Sequence, residues 1–223
     1  YGIDDTNEIF TMDDLGNRDT VNLRSGSNED YDIDVLTNRY AAVGANSLSY
    51  DSAGNLTTDK NGYEYQYDYE NRIVKITKDG NDIAQFSYDA LGRRIRKIDS
   101  TSGTTRLYYN NPNWQVLCEY NGSGNLQRSF VYGNYIDEVL YSYNMTSGDY
   151  YYIHDHLYSP AALVDTSTGA AIERYEYDAY GNPYLFTGRR LDLLDSGNLK
   201  LQYNRNRYYD YYMGRWLTHD PLG

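Results

Sequence analysis

One short pattern, Tyr-Asp-x-x-Gly-Asn, recurs along this chain and strongly limits what the chain can fold into. Close copies begin at Tyr50, Tyr88, Tyr120 and Tyr177, and more divergent ones contain Asp13, Asp34 and Asp68. From Asp13 to Asp89 the acidic residues follow one another at steps of 21, 17, 17 and 21 residues. Such a step has room for two strands and two turns but is short for most helical repeats. The sequence therefore predicts a β repeat.

The residue types of the pattern are those of a turn. An aspartate side chain bonds to the backbone two residues on, and glycine and asparagine adopt positive φ at low cost. We therefore expect Gly and then Asn to take positive φ in each copy. The predicted turn residues are Asp51, Gly54, Asp89, Gly92, Asp178 and Gly181.

Tyrosine is unusually abundant, with 29 of the 223 residues. Because tyrosine makes up so much of the apolar fraction, few aliphatic residues remain to form a core. This favours a broad, curved sheet over a conventional sandwich. A tyrosine that ends a strand can lie on the ring of the next repeat. We expect Tyr50, Tyr67 and Tyr88 to form such a ladder of rings.

Alternation of period two predicts strands at 63–67, 73–76 and 173–177, and Asp79-Gly80 predicts a two-residue hairpin turn. Helix signals are weak, with one turn at most in 192–198. The predicted fold is all-β, a curved or spiralling antiparallel sheet of turn-linked hairpins that forms one repeat array. Its predicted segments are a divergent leading repeat at 1–30, regular repeats at 31–110 and a closing segment at 111–223.

Composition argues against several function classes. A net charge of −12 disfavours general nucleic-acid binding, which needs a basic surface. The dense basic run from Arg93 to Lys97 alternates between two faces and predicts a solvated strand. The chain has a single cysteine, Cys118, so it has no intrachain disulfide, and it has no apolar run of the length needed to span a membrane.

The last residues of the chain carry a family resemblance. The repeated turns resemble the YD repeats of the RHS family, and the end of the chain is similar to the RHS-associated core, R-x-R-Y-Y-D-P-x-x-G-R-F-x-x-x-D-P. Here Tyr211 replaces the usual proline and Trp216 the phenylalanine. The residues that match, called the core motif below, are Arg205, Arg207, Tyr208, Tyr209, Asp210, Gly214, Arg215, Asp220 and Pro221.

The resemblance implies a strip of antiparallel sheet that spirals into a hollow shell. In bacterial polymorphic toxins such a shell encloses a toxic C-terminal polypeptide, whereas the related teneurins use it for cell-surface adhesion. It therefore favours a non-enzymatic shell segment of a secreted or cell-surface bacterial protein. Its expected partners are an enclosed C-terminal polypeptide and other segments of the same long chain, or identical copies joined through sheet edges. An adhesive or self-assembling extracellular module is the alternative.

The resemblance also implies candidate catalytic residues. In RHS-toxin shells the core motif is similar to half of an aspartyl autoprotease, for which Arg207 and Asp220 are the matching residues. Two carboxylates that share a proton can act as acid and base on one peptide bond, but the second aspartate of the family lies in a further D-P-x-G beyond this motif. We therefore expect no catalysis and no cofactor, and rank a proteolytic domain third.

His154 and His156 are the only paired histidines. Their spacing predicts that both imidazoles lie on one face of a strand, where they would supply two ligands to a metal. No third ligand can be assigned from the sequence, and the surrounding stretch resembles the family's Y-H-T-D-H-L-G-S-P segment, with Tyr158 in place of the glycine. A structural or turn role therefore ranks ahead of a metal site.

Overall fold

The computed structural model describes residues 9–22, 28–177 and 186–220. The chain forms two compact units, Tyr1–Tyr65 and Gln66–Gly223. Three predicted residues, Asp178, Gly181 and Pro221, lie outside the described residues. The boundary between the units coincides with neither predicted segment boundary, at 30 or at 110, and those segments stay predictions.

The first unit consists of short antiparallel strands. One sheet has the order β1 to β5, and β6, β7 and β8 pair in sequence after it. The strands are β1 (Ile9–Met12), β2 (Arg18–Asn22), β3 (Asn28–Asp34), β4 (Arg39–Val43), β5 (Asn46–Ser47), β6 (Ser49–Tyr50), β7 (Leu56–Thr58) and β8 (Tyr63–Tyr67), of which β8 ends just past the unit boundary.

The second unit is built on an antiparallel meander, because each strand from β9 to β18 pairs with the next in the chain. The strands are β9 (Ile73–Lys78), β10 (Asn81–Tyr88), β11 (Arg94–Asp99), β12 (Thr104–Asn110), β13 (Val116–Asn121), β14 (Leu126–Tyr132), β15 (Val139–Asn144), β16 (Tyr150–His154), β17 (Pro160–Asp165) and β18 (Ala171–Arg174). We call this meander the strip.

A smaller sheet closes the second unit. It consists of β19 (Arg190–Leu194), β20 (Leu199–Asn204), β21 (Arg207–Asp210) and β22 (Arg215–Trp216), paired in that order. Short 3₁₀ turns at Phe186–Gly188 and Asp195–Gly197 flank β19. The described residues contain no α-helix, so the all-β antiparallel fold class is confirmed. Among them no helix has the length and apolar character that crossing a bilayer requires.

The predicted hairpin after Ile73 is confirmed. Asp79 and Gly80 both have positive φ, 50° and 76°, and Lys78 pairs with Asn81 across the turn. Two central residues with positive φ are the geometry that matches the twist of adjacent strands. The turn fixes the register of β9 and β10, which places Ile76 and Ala84 as buried neighbours.

The core of the second unit combines aliphatic and aromatic side chains. On the strip, Ile73, Ile76 and Phe86 are buried, and in the small sheet alternation buries Leu199 and Leu201. Tyr208 of β21 lies 5.5 Å from Phe86 of β10, measured between ring centroids. The small sheet therefore packs on the strip through rings as well as aliphatic side chains.

Candidate functional site

The repeated pattern forms one turn geometry at eight places. The first residue is Asp13, Asp51, Asp59, Asp68, Asp89, Asn111, Asn121 or Asp155. In each turn the Oδ1 atom of this residue accepts the N–H of the residue four positions on. Its backbone carbonyl accepts the N–H three positions on, and its own N–H donates to the carbonyl four positions on. One side chain thus satisfies backbone groups that the two strands leave unpaired.

The last position of the motif has a different role from the one predicted. Asn55 has no positive φ; its Nδ2 donates to Asp51 Oδ2 at 2.8 Å. Arg93 does the same in the next full copy, where its Nε lies 2.7 Å from Asp89 Oδ2. Asparagine and arginine both suit this position because each donates to the second carboxylate oxygen, and the prediction of positive φ there is wrong.

Positive φ falls on the fourth residue of each turn. Gly54 has φ 84° and Gly92 has φ 80°, but Trp114 and Tyr158 occupy the same position with φ 65° and 60°. A large side chain in this region is strained. Tyr158 stacks on Tyr135 at 4.5 Å between centroids, which offsets part of that strain.

The tyrosine before the turn reaches back to the previous repeat. The hydroxyl of Tyr88 donates to the carbonyl of Ile73 at 2.8 Å, where Ile73 is the first residue after the preceding turn. The same bond joins Tyr50 to Tyr40, Tyr132 to Val116 and Tyr177 to Pro160. The tyrosine therefore ties the end of one repeat to the start of the strand before it.

The predicted ladder of rings is wrong for Tyr88. Its ring lies under the guanidinium of Arg72, with 4.8 Å from Cζ to the centroid. Ring pairs between neighbouring strands occur elsewhere, at Tyr109 and Tyr120 and at Tyr141 and Tyr151. Tyr50 lies close to the guanidinium of Arg39, 5.4 Å from Cζ to the centroid. Cation–π contacts are thus a part of the repeat that the residue pattern did not indicate.

A buried ion cluster joins the strip to the small sheet. Asp192 of β19 accepts two bonds from Arg94 of β11, and Lys97 Nζ lies 2.8 Å from Asp192 Oδ1. Burial by itself would raise the pKa of Asp192, but Arg94 and Lys97 outweigh it and lower that pKa to about 2. The prediction that 93–97 is a solvated strand is therefore wrong for Arg94, whose side chain is buried against Asp192 and Tyr208.

Glu119 forms a second cluster beside the first. Its carboxylate accepts a bond from Arg190 of β19, while Arg106 Nη1 is 3.5 Å away, at the limit of a hydrogen bond. Burial favours a raised pKa for Glu119, but Arg190, with Arg128 and Arg106 further off, lowers it. Glu119 is thus a charged carboxylate held between the strip and β19.

Asp137 forms a third cluster. Both of its oxygens accept bonds from Arg205 Nη2, at 3.0 and 3.1 Å, and Arg189 lies 3.2 Å away. Here burial outweighs the two arginines and raises the pKa of Asp137. Gly188 passes so close to the carbonyl of Asp137 that a Cβ there would lie 2.4 Å from it, so only glycine fits.

The core motif builds β21 and β22. Tyr208 is buried and its hydroxyl accepts a bond from Arg94, and Tyr209 meets Trp216 edge-on at 5.2 Å. Asp210 Oδ1 accepts the N–H groups of Tyr212 and Met213, which is a turn role. The remaining members continue this turn: Gly214 has φ 67°, and Arg215 pairs with Asp210 across the two strands.

The two candidate catalytic residues are in contact. Arg207 Nη2 lies 3.0 Å from Asp220 Oδ2, and the Arg207 guanidinium covers the ring of Trp216 at 4.1 Å. The Asp220 side chain is 49% exposed. The pair is a surface ion pair, and such a pair contributes little to folding stability.

The histidines do not share a strand face. His154 ends β16, and its buried Nε2 has no hydrogen-bond partner among the described residues. Burial lowers the pKa of His154. His156 is exposed in the turn that starts at Asp155. The described residues contain no group of three or more metal-ligating side chains.

A cavity of about 650 Å³ lies in the second unit, between the inner face of the strip and β19. The three ion clusters contribute to its wall, together with Trp114, Phe130, Tyr132 and Tyr152. Among the described residues, its lining has eight arginine or lysine side chains and four carboxylates. The excess of positive charge contrasts with the net charge of −12 of the whole chain.

Comparison with known proteins identifies the family of this chain. A family model described as the Teneurin YD-shell matches residues 3–222. The chain belongs to the YD-shell family. This membership confirms the resemblance to RHS and YD-repeat proteins.

Among the YD-shell relatives are bacterial nucleases and animal teneurins. The tRNA nuclease WapA of Bacillus subtilis (strain 168) is 31% identical over 229 residues, which cover 95% of this chain and 9% of that protein. Human Teneurin-4 is 29% identical over 202 residues, which cover 85% of this chain and 7% of that protein. The chain thus spans less than a tenth of the length of these relatives.

Solved structures share the fold. The crystal structure of TcdB2-TccC3-Cdc42 superposes with a TM-score of 0.72 at 20% identity, over 97% of this chain and 12% of that one. The Photorhabdus luminescens Tc holotoxin pore gives 0.71 at 19% identity, over 97% and 12%. The YD-shell fold is therefore common to this chain and the Tc toxin chains.

Sequence reasoning missed most of the residues that hold the small sheet. Asp192, Glu119 and Asp137 belong to no motif. The partners that join them across the strip and the small sheet lie between 52 and 98 residues away. Two turns, at Asp59 and Asn111, also went unnoticed. The first lacks the preceding tyrosine, and the second lacks both that tyrosine and the glycine. The signal that could have found them is an acidic or amide residue followed, four or five positions on, by the start of a strand.

Proposed function

We propose that this chain is a non-enzymatic structural segment of a shell that encloses or delivers an attached polypeptide. The observation that supports it best is the docking of the small sheet on the strip through three ion clusters, centred on Asp192, Glu119 and Asp137. A buried carboxylate bonded to arginines fixes one geometry, because each charge needs its partner. Such a docked sheet suits a rigid wall.

We infer the longer protein and the location of this chain from its family. In a longer protein the repeats of this chain would pair with other segments of the same strip through their edges, and a polypeptide would lie inside. We place the protein on the cell surface or outside the cell, in a bacterium, as the RHS resemblance implies. The activities named for the WapA proteins would then belong to the parts of those proteins that this chain does not cover.

The test is protease protection in the full-length product of the gene. The wild type is compared with a variant that carries Asp192→Asn, and Asp79→Asn serves as the control because Asp79 sits in an exposed hairpin turn. We expect the region after this chain to be cut at a lower protease concentration in the Asp192 variant only. Equal cutting in the wild type and in both variants would overturn the enclosing role.

A self-assembling module is the second candidate, and the strand at the end of the strip supports it. All four residues of β18 are exposed, and Ile172 is 46% exposed. An exposed edge strand is a template for pairing with another chain. Light scattering at micromolar concentration should show growth with time, and Ile172→Lys should suppress it. A constant monomer mass would refute self-assembly and leave the shell proposal intact.

A further inference from the structure

We propose that the cavity of the second unit binds an extended acidic peptide. The part of its lining that the structure describes has eight cationic side chains and four carboxylates, in a chain whose net charge is −12. An acidic peptide is repelled by such a chain as a whole, so only a local basic site can hold it. The cavity lies in the second unit alone and does not depend on the enclosing function.

Arg128 is the main uncommitted cation. It lies directly opposite Glu119 in the register of β13 and β14, but the Glu119 carboxylate is occupied by Arg190. Within the described residues the side chain of Arg128 makes no hydrogen bond and no ion pair, and it affects Glu119 only through its charge. Its guanidinium therefore keeps its planar set of donors available for a carboxylate.

Arg106 is a second cation of the cavity, and its guanidinium has N–H donors that are not used by other residues of the described chain. Its single contact with Glu119, at 3.5 Å, is too long to use the guanidinium well, and its side chain is 35% exposed. Arg106 faces Asn121 across β12 and β13, so it lies on the same face of the strip as Glu119 and Arg128, on the other neighbouring strand of β13. The unused guanidinium of Arg128 and the partly used one of Arg106 can bind one carboxylate or two neighbouring ones.

A second basic region lies at the other end. Arg205 and Arg189 surround Asp137 there, just beyond Tyr132 at the end of β14. Four residues separate Arg128 from Tyr132, which is about 13 Å along a strand. A point anion can contact one end only, whereas an extended peptide with spaced carboxylates contacts both.

The walls between the two ends suit a peptide backbone. Phe130 and Tyr152 supply apolar surface, and the orphan Nε2 of His154 supplies a polar partner. A volume of about 650 Å³ holds a ligand of several residues. A nucleic-acid strand is disfavoured because it needs a solvent-exposed basic stripe for its many phosphates.

The experiment titrates the 223-residue chain into a fluorescently labelled Glu-Ser-Glu-Ser-Glu-Ser peptide and measures anisotropy. The Arg128→Gln variant should weaken binding on the order of tenfold, the loss of one charge-assisted contact. Arg96→Gln is the matched control: it removes the same charge from an exposed position of β11 that does not line the cavity. It should change the affinity by less than about twofold.

Three outcomes would overturn the proposal. The first is equal weakening by Arg128→Gln and Arg96→Gln, which would mean that net charge alone acts. The second is equal affinity for a Gln-Ser peptide. The third is full release of the peptide by an equal concentration of inorganic phosphate, which would indicate a point-anion site. Far-ultraviolet dichroism and a melting curve establish that each variant is folded. None of these outcomes bears on the shell proposal, which is tested by protease protection.

Discussion

At the scale of the residue, the repeated turn is held by one carboxylate whose two oxygens both accept hydrogen bonds. Asp89 Oδ1 accepts the N–H groups of Leu91 and Arg93, and Oδ2 accepts Arg93 Nε. These bonds lower the pKa of Asp89 although its partial burial acts against them. Asn111 shows that the turn also forms with an amide, when Gln115 at the last position accepts the amide N–H instead.

The first prediction concerns this pairing. Asp89→Asn keeps an Oδ1 acceptor but replaces the carboxylate oxygen that faces Arg93 with an amide, so we expect a loss of about 1–2 kcal/mol of unfolding free energy. Urea denaturation measures it. Asp79→Asn is the control and should change stability by less than about 0.5 kcal/mol, because asparagine suits that hairpin turn equally well. Equal effects of the two substitutions would contradict the account of the turn.

The second prediction concerns the tyrosine before the turn. Tyr88→Phe removes the hydroxyl that bonds to the Ile73 carbonyl, and leaves that acceptor unsatisfied at a cost of about 1–2 kcal/mol. Tyr109→Phe is the matched control, since its ring is 63% exposed and its hydroxyl makes no hydrogen bond among the described residues. The comparison again uses urea denaturation. A Tyr88 variant as stable as the Tyr109 variant would show that the bond across repeats is unimportant.

At the scale of the element, the small sheet β19–β22 depends on charges placed by the strip. The sheet has its own aliphatic core at Leu194, Leu199 and Leu201, but its β19 strand carries Asp192 and Arg190 toward the strip. Both side chains need partners there, because an unpaired buried charge is costly. The ion clusters therefore select one register of docking, which apolar contacts alone specify weakly.

The third prediction is the acid dependence of this docking. Asp192→Asn leaves Arg94 and Lys97 without a counterion and should cost about 3–5 kcal/mol at neutral pH. The folded pKa of Asp192, about 2, lies below its usual value of 3.8, so its stabilisation is present above the usual value and is lost as pH falls toward 2. The stability difference between variant and wild type should then be constant from neutral pH to about pH 5 and shrink below pH 4.

Arg106→Gln is the control for that series. Its contact with Glu119 is long and its side chain is partly exposed, so we expect less than about 1 kcal/mol and little change with pH. The measurement is chemical denaturation at each pH for all three proteins. A difference for Asp192→Asn that grows below pH 4 would reverse the sign of the argument.

At the scale of the whole molecule, the chain has the fold of a shell, and one of its surface pairs resembles half of a protease. Arg207 and Asp220 are in contact, yet Asp210, the nearest aspartate of the motif, is engaged in its own turn. General acid–base cleavage by carboxylates needs one group to activate water and another to protonate the leaving amine. A pair of one arginine and one aspartate does not supply both.

The fourth prediction is that this chain does not cut itself. The purified chain is incubated between about pH 4 and pH 8, beside an Asp220→Asn variant, and intact masses are followed over days. We expect the parent mass to persist in both. Fragments that accumulate in the wild type and vanish in the variant would restore the autoprotease and overturn the non-enzymatic assignment.

Local chemistry determined what the sequence could reveal about this protein. The aspartate turns, the Asp79-Gly80 hairpin and the period-two strands each depend on residues within a few positions, and they predicted the all-β antiparallel fold. Membership of the YD-repeat family also followed from residues adjacent in the chain. Local reasoning went wrong where a distant partner acted, as at Arg94 and at Tyr88.

Only the tertiary structure decided which charges are buried. Arg94 and Asp192 are 98 residues apart and lie on strands of different sheets, so no spacing in the sequence relates them. Period-two alternation says that Arg94 points to one face of its strand, but it does not say that another sheet covers that face. Whether a side chain of a curved strip meets water or an opposite charge depends on what packs against the strip, and that is decided when the chain folds back on itself.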